Sequence, residues 1–240
     1  YGSGKSHLAK MLRTLWTDYQ FADGATARSI AKLPTGVFEH LKELSTQGKR
    51  HGGLHAAAGK LGAGAGDKVR LALLGIVFKS KGLPEHYDQA KLVLWMKREG
   101  ILDAVEAELK SAGRSLIQEL PHMYVSGHLA KALLKVRPDL AHTEADARKL
   151  LKEQFPQVTD VTSEQMTTAI EAALAQDGKF PLTLVVLDEV QQYIGADAEK
   201  AFQVQEVTET LSKHFNGKLL FVGTGQSALS GMPNLQRLMG

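Results

Sequence analysis

The sequence predicts an α/β fold with a parallel sheet at its core and a large, mostly helical insertion. The runs "LTLVVL" at 182–187 and "LLFV" at 219–222 are short and unbroken, as strands buried on both faces of a parallel sheet are. Helical spacing from about Glu199 to Phe215 lies between them. Strand, helix and strand in this order predict a crossover unit.

The composition is that of a globular protein. The 240 residues are 43% apolar and 23% charged, and the formal net charge of +3 neither requires nor excludes a polyanionic partner. Because there is no cysteine, disulfides, thiolate zinc sites and a cysteine nucleophile are excluded. No apolar run approaches the roughly 18 to 20 residues of a membrane span. We therefore expect a cytoplasmic protein that does not enter a membrane.

Three segments are predicted. Residues 1–83 form the first part of the core, 84–160 the helical insertion, and 161–240 the rest of the core. The first segment contains a helix that begins at or just before Lys5 and a possible strand within 52–59. Between them, "VFEHLKELSTQGKR" predicts an amphipathic helix that stops at Gly48 and has four residues facing inward, Val37, Phe38, Leu41 and Leu44. A helix capped by Thr162 or Ser163 opens the third segment.

The stretch "GSGKS", Gly2 to Ser6, is typical of a phosphate-binding loop. Glycines let several backbone N–H groups point into one concavity, and the following helix adds positive charge at its N-terminus. Lys5 is then expected to reach the β- and γ-phosphates of ATP, and the Ser6 hydroxyl to join the shell of Mg²⁺. The alternative is a flexible terminal linker.

The stretch "LVVLDEV" ends a buried strand with two carboxylates. Asp188 stands where a strand beside the phosphate loop positions Mg²⁺, and Glu189 follows at the lip, where a carboxylate polarises a water for attack on the γ-phosphate. Taken alone, the pair is also compatible with an ordinary acidic turn. Together with "GSGKS", it favours a Mg²⁺-dependent ATPase.

A third polar element, "FVGTGQ", follows the next predicted strand. One branch of the P-loop ATPases carries an extra strand that ends in a polar residue, which senses the γ-phosphate or holds the attacking water. Thr224 and Gln226 are the candidates, and a turn that merely uses the freedom of Gly223 and Gly225 is the alternative. The three elements together predict a P-loop NTPase core of the AAA+/ASCE-like type.

Beyond these motifs, the sequence resembles one family over essentially its whole length. It is similar to the large P-loop ATPase of bacteriophage-exclusion (BREX) and phage-growth-limitation systems, the BrxC/PglY family. "GAGAGD" and "LDEVQQYIG" carry the resemblance beyond general ATPase features. Family members are much longer, so we expect this chain to be an internal piece that lacks the first glycine of the loop and its preceding strand. As an isolated fragment it is expected to bind ATP poorly.

The resemblance implies ATP binding and hydrolysis, with Mg²⁺, in a bacterial defence complex that also contains a DNA methyltransferase and an alkaline-phosphatase-like protein. Lys5, Ser6, Asp188 and Glu189 match the family's motif positions, and Thr224 and Gln226 match them less closely. We also expect a homo-oligomer.

Two other functions stay open. One is a nucleotide-gated scaffold, or DNA-binding regulatory ATPase, with little turnover. A segment between Glu39 and Leu83 has eight Lys or Arg against three acidic residues, which is compatible either with contacts to DNA or with a solvated surface. The other, a small-molecule kinase, is disfavoured because nothing in the sequence resembles an acceptor site.

Overall fold

The computed structural model describes residues 3–62 and 68–225, without the side chains of Ser3, Lys5 and Ser6. The chain divides into two compact units, one formed by 1–81 with 161–240 and the other by 82–160. Within the described residues, no helix combines the length and the apolar character needed to cross a membrane.

The first part of the larger unit contains four helices and a strand among its described residues. In chain order these are α1 (Ser3–Thr17), α2 (Ala27–Ile30), α3 (Thr35–Arg50), β1 (Leu54–Lys60) and α4 (Val69–Ser80). The strand lies in the alanine-rich stretch "LHAAAGK", where Ala57 is fully buried. Small side chains there let helices approach both faces closely.

The predicted end of α3 is wrong. The helix continues through Gly48 to Arg50, and Gly48 is buried against Leu54, where an added Cβ would lie 2.7 Å from a Leu54 methyl carbon. This glycine therefore serves close packing and not helix termination. Val37 and Phe38, predicted to face inward, are 45% and 37% exposed, because the described chain does not cover the first turn of α3.

The smaller unit is built from helices. They are α5 (Tyr87–Arg98), α6 (Leu102–Ser111), α7 (Leu116–Glu119), α8 (Gly127–Val136) and α9 (Glu144–Gln154), with a short 3-10 helix at Leu120–His122. The core includes Leu92, Met96, Val105, Leu109, Leu129 and Leu151. Contacts between α6 and α8 and between α8 and α9 hold the unit together.

The chain then returns to the larger unit. It adds α10 (Ser163–Leu174), β2 (Leu182–Asp188), α11 (Val190–Ile194), α12 (Ala198–His214) and β3 (Leu219–Gly223). Of the two predicted caps, Thr162 and Ser163, it is Thr162 that caps α10, since its hydroxyl accepts from the Gln165 N–H. Both predicted strands are present, and the short helix α11 was not foreseen.

In the described residues, the sheet has three parallel strands in the order β1-β2-β3. Leu54 to Lys60 pair in register with Leu182 to Asp188, and Thr183 to Leu187 with Leu219 to Gly223. The central strand is buried on both faces, with Leu184, Val185 and Val186 at most 1% exposed. The sequence prediction of a mixed α/β fold with a parallel sheet is therefore confirmed.

Helices cover the two faces of this sheet. On one face, Ala9 of α1 packs with Leu184 and Val186. On the other, α4 lies so close to β1 that a Cβ on Gly59 would come within 2.6 Å of Ile76. The helices α10 and α12 pack against α4.

A buried arginine fixes the end of α1. Arg28 is 8% exposed, and its guanidinium donates to four acceptors: Leu15 O (2.6 Å), Trp16 O (2.7 Å), Leu41 O (2.7 Å) and Ser45 Oγ (2.6 Å). Two of these are carbonyls at the C-terminal end of α1, where the helix dipole favours a cation. Burial lowers the pKa of Arg28, and Asp18 opposes that shift. Arg28 thus joins α1 to α3.

We predict that Arg28→Ala lowers the free energy of unfolding by about 3 kcal/mol, because several carbonyls lose a charged donor in a buried site. Lysine has a single donor group and not a planar fork, so Arg28→Lys restores only part of the loss. Urea denaturation followed by circular dichroism measures both, with Arg50→Ala at an exposed position as the control. Equal unfolding free energies for Arg28→Ala and Arg50→Ala would contradict this role.

His55 on β1 is a partly buried titratable group in the same unit. Its Nε2 lies 2.8 Å from Ser80 Oγ, which itself donates to Val77 O. Burial lowers the pKa of His55 to about 4, and the positive charges of Lys81 and Arg13 add to that shift. The folded state therefore holds a neutral imidazole.

We predict a pH-dependent stability that depends on His55. The unfolded imidazole binds a proton below its ordinary pKa of 6.5, and the folded one does so only near 4. The contribution of neutral His55 to the free energy of unfolding is complete above pH 6.5. It falls by about 2–3 kcal/mol on acidification to pH 4. His55→Gln flattens this part of the profile in urea denaturation, whereas His40→Gln, at an exposed position, leaves it steep. If the free energy of unfolding depended on pH in the same way in wild type and His55→Gln, this role of His55 would be wrong.

Candidate functional site

Polar side chains gather at the carboxyl edge of the sheet. Strand β1 ends at Lys60, β2 at Asp188, and Thr224 follows the last residue of β3. Lys60 is the register partner of Asp188, and Leu187 is that of Gly223. The parallel register therefore brings residues from three distant parts of the sequence to one edge.

These side chains share the face of the sheet that α1 covers. Leu184 and Val186 pack against Ala9 of α1, and alternation along β2 places Asp188 on the same face. Ala56 and Ala58 pack against the same cluster, so Lys60, two residues further along β1, also belongs to that face. Val222 of β3 also packs against this cluster, so Thr224, two residues further along, lies on the same face. Its hydroxyl contacts Asp188 directly.

The N-terminus of α1 points toward this edge. Near the other end of the helix, Trp16 Nε1 donates to Leu182 O at the start of β2 (3.1 Å), and Ala9 lies beside Leu184 and Val186. The helix therefore runs antiparallel to the strand. From Ala9 to Ser3 the helix rises about 9 Å, and from Val186 to Asp188 the strand advances about 7 Å. The first turn of α1 thus lies level with the end of β2.

The predicted phosphate loop is described in part. Ser3, Gly4, Lys5 and Ser6 have their backbone in the first turn of α1, in agreement with a helix that begins before Lys5. Gly2 and Gln226 lie outside the described residues, as do the side chains of Ser3, Lys5 and Ser6. Their predicted contacts with phosphate and Mg²⁺ stay predictions.

Thr224 connects the end of β3 to the turn after β2. Its N–H donates to Leu187 O (2.9 Å), and its carbonyl accepts from the Val190 N–H (3.0 Å). Its hydroxyl donates to Asp188 Oδ1 (2.5 Å) and accepts from the Glu189 N–H (3.1 Å). A hydroxyl has one proton, so Thr224 has to release Asp188 before it can donate to a phosphate. In this state Thr224 orients the two carboxylate residues.

Glu189 adopts a backbone conformation that is rare for its residue type. Its φ of 55° and ψ of 36° are left-handed, and α11 starts immediately after it. Such a conformation costs roughly 1 kcal/mol or more unless its surroundings hold it. Here the hydrogen bonds of Thr224 hold the turn on both sides of Glu189.

The Glu189 carboxylate pairs with Lys60, a residue that lies outside all the predicted motifs. Lys60 Nζ donates to Glu189 Oε2 at 2.5 Å, and the two side chains are 50% and 24% exposed. The hydrogen bond to Glu189, followed by the charges of Glu189 and Asp188, raises the pKa of Lys60, so this group stays an ammonium. The sequence signal was its position at the end of a strand, which becomes meaningful only once the register is known.

The Asp188 carboxylate at this edge is an oxygen donor of the kind that Mg²⁺ prefers. Asp188 supplies a carboxylate held by the Thr224 hydroxyl, and outer hydrogen bonds of this kind orient metal ligands. Mg²⁺ takes only one or two carboxylates and completes its shell with water and phosphate oxygens. In residues 3–62 and 68–225, no group of three or more His, Cys, Asp or Glu is arranged to hold a metal ion, so a protein-only metal cage has no support there.

Several cations of the basic segment between Glu39 and Leu83 have acidic neighbours. Lys42 pairs with Glu39 (3.4 Å), Lys60 with Glu189, and Arg70 with Glu206 (3.4 Å). These pairs compensate part of the local positive charge. Binding of DNA by this segment stays a prediction.

Comparisons with protein-family models, with curated proteins and with solved structures found no match to this chain.

We predict that Thr224→Val lowers the free energy of unfolding by about 1–2 kcal/mol, because the Glu189 N–H and Asp188 Oδ1 lose their shared partner. Thr224→Ser keeps the hydroxyl and stays within about 0.5 kcal/mol of wild type. Thermal or urea unfolding of the two variants distinguishes the hydroxyl from the methyl group. A larger loss for serine than for valine would show that packing of the methyl group matters more.

Proposed function

We propose that this chain is part of a Mg²⁺-dependent ATPase with a P-loop core of the AAA+/ASCE-like type. The observation that supports it best is the convergence of Asp188, Glu189 and Thr224 with the first turn of α1 at one edge of a parallel sheet. Ligands of open parallel sheets bind outside the carboxyl ends of the strands.

The first turn of α1 supplies the phosphate site. Its backbone N–H groups have no partners within the helix and carry the positive end of the helix dipole, so they attract a polyanion. Gly2 and Gly4 have no Cβ, so the backbone of Gly2, Ser3 and Gly4 can approach the phosphates closely. Lys5 adds a positive charge near the β- and γ-phosphates.

Ser6 and Asp188 would hold Mg²⁺ through the serine hydroxyl and the aspartate carboxylate. The ion would supply positive charge that neutralises the phosphate oxygens during transfer. Thr224 keeps the Asp188 carboxylate aimed at the α1 face of the sheet, so the ligand is oriented before nucleotide arrives.

Glu189 acts as the general base in this mechanism. Its carboxylate accepts a proton from a water whose oxygen attacks the γ-phosphorus, while the bond to the β,γ-bridging oxygen breaks and ADP leaves. The left-handed turn and the Thr224 hydrogen bonds fix the backbone from which this side chain projects. The sensor roles of Thr224 and Gln226 belong to the same proposal.

The biological setting is proposed from the sequence resemblance alone. We propose that hydrolysis serves a BREX-type or phage-growth-limitation complex in bacteria, together with a methyltransferase and an alkaline-phosphatase-like protein. Homo-oligomerisation and contact with DNA are parts of that proposal. Co-purification of the intact protein with those partners is the direct test of this setting.

For the activity itself, we predict that Glu189→Gln in the intact protein keeps ATP affinity within about threefold of wild type but lowers kcat by at least about 10²-fold, because the water loses its proton acceptor. Phosphate release and equilibrium binding of ATP measure the two quantities. Glu199→Gln, at an exposed position in the first turn of α12, is the matched control and keeps full turnover.

Unchanged turnover in Glu189→Gln would remove Glu189 from the mechanism. ATP binding without measurable turnover in the wild type, with and without partners, would favour the nucleotide-gated scaffold over the hydrolase.

A further inference from the structure

A cavity of about 500 Å³ lies beside the C-terminal end of α1, in the larger unit. Residues of the turn after α1, of α2 and of α3 line it. Its volume is in the range of small-molecule sites, about 300–1,000 Å³. Because α1 has 15 residues, its first turn lies about 20 Å from this end of the helix. The cavity is therefore separate from the candidate nucleotide site.

A buried cation without a carboxylate partner belongs to the lining. Arg28 is 8% exposed, and the acceptors of its guanidinium are three backbone carbonyls and the Ser45 hydroxyl, all of them neutral. Asp18 accepts from the Arg28 backbone N–H (3.0 Å), and within the described chain no carboxylate forms an ion pair with the guanidinium. The dipole of α1 supplies only about half a compensating charge. Since buried charges in proteins are normally paired, the arrangement favours an anion in the cavity.

One stripe of α3 adds two cations and a hydroxyl proton. Lys42, Ser45 and Lys49 are three and four residues apart, so they share the helix face that lines the cavity. Ser45 Oγ accepts from Arg28 Nη1, and in the described residues its own proton has no acceptor. Lys49 has no ion pair in that part of the chain. The pair of Lys42 with Glu39 is weak, because both side chains are more than 60% exposed.

These donors match a phosphate group better than a carboxylate. The lining contains three cations and one carboxylate, namely Arg28, Lys42, Lys49 and Asp18. A phosphomonoester carries a charge of about −1.5 to −2 at neutral pH and has three terminal oxygens. It can therefore accept from both ammonium groups and from the Ser45 hydroxyl at the same time. A carboxylate has a single charge and fewer acceptor oxygens.

We propose that this cavity binds a small ligand through a phosphate group, which Lys42, Lys49 and the Ser45 hydroxyl hold beside the fixed charge of Arg28. The ligand is inorganic phosphate or a phosphorylated small molecule. The site uses none of the residues to which the ATPase mechanism assigns a role, so it stands or falls independently of that mechanism.

The first test locates the anion on the intact protein. The acylation rate of each lysine by an amine-reactive reagent is measured by mass spectrometry with inorganic phosphate, with glycerol 3-phosphate and with glycerol. One or both phosphate probes are expected to slow acylation of Lys42 and Lys49 at least about threefold at about 10 mM, which fills most of a millimolar site. Lys213 is the matched control, since it is 80% exposed and pairs with Glu209 at 3.5 Å. The stronger of the two probes identifies the source of the phosphate.

Three results of this test overturn the proposal. The first is no slowing by either phosphate probe, or equal slowing at Lys213. The second is equal slowing by succinate, a dicarboxylate, which would show selection by charge alone. The third is slowing of Lys42 and Lys49 by duplex DNA but by neither phosphate probe, which would assign these lysines to a DNA-binding surface.

The second test measures the affinity of both phosphate probes by isothermal titration calorimetry. Lys49→Met is expected to weaken binding at least about fivefold, because one charge-assisted contact is lost, and Lys49→Arg restores most of it. Lys213→Met keeps the wild-type affinity. The difference between wild type and Lys49→Met separates the cavity from any phosphate bound at the first turn of α1. Unchanged affinity in both Lys49→Met and Lys42→Met overturns the proposal and leaves the ATPase proposal intact.

Discussion

The register of the parallel ladder is the constraint on which the rest of the site depends. Lys60 and Asp188 are separated by about half of the chain, yet pairing of β1 with β2 brings their backbones side by side. A slip of one residue would turn one of the two side chains to the opposite face. A slip that moves Asp188 to the position of Leu187, which is 4% exposed, is opposed because it would bury the carboxylate.

Order at the carboxyl edge comes from hydrogen bonds between neighbouring strands. The backbone of Thr224 continues the hydrogen-bonded ladder past the end of β3. Its hydroxyl links the Asp188 side chain to the backbone N–H of Glu189. The left-handed conformation of Glu189 is stable because of these bonds. A strained residue held from both sides has few alternative conformations, which suits the role of general base that we propose for Glu189.

Much of the larger unit could be predicted from local patterns. The continuous apolar run 182–187 gave β2, and the Thr162 hydroxyl gave the start of α10, because burial on two faces and helix capping both leave a local signature. Gly48 was wrongly predicted to end α3, because the sequence does not distinguish a glycine required by a neighbouring side chain from one required by a helix end. Val37 and Phe38 were assigned to the core by their spacing, which shows that two residues share a helix face but not what covers that face.

The sequence by itself determined the acidic pair at Asp188 and Glu189, the polar residue Thr224 and the helical start that carries Lys5 and Ser6, since each belongs to a short motif whose chemistry is local. Only the tertiary structure decided that the Thr224 hydroxyl serves Asp188 and that the Glu189 carboxylate pairs with Lys60. These partners are 36 and 129 residues apart in sequence. Contacts over such distances depend on strand order and register, which follow from packing of the whole unit and leave no mark in any single stretch of sequence.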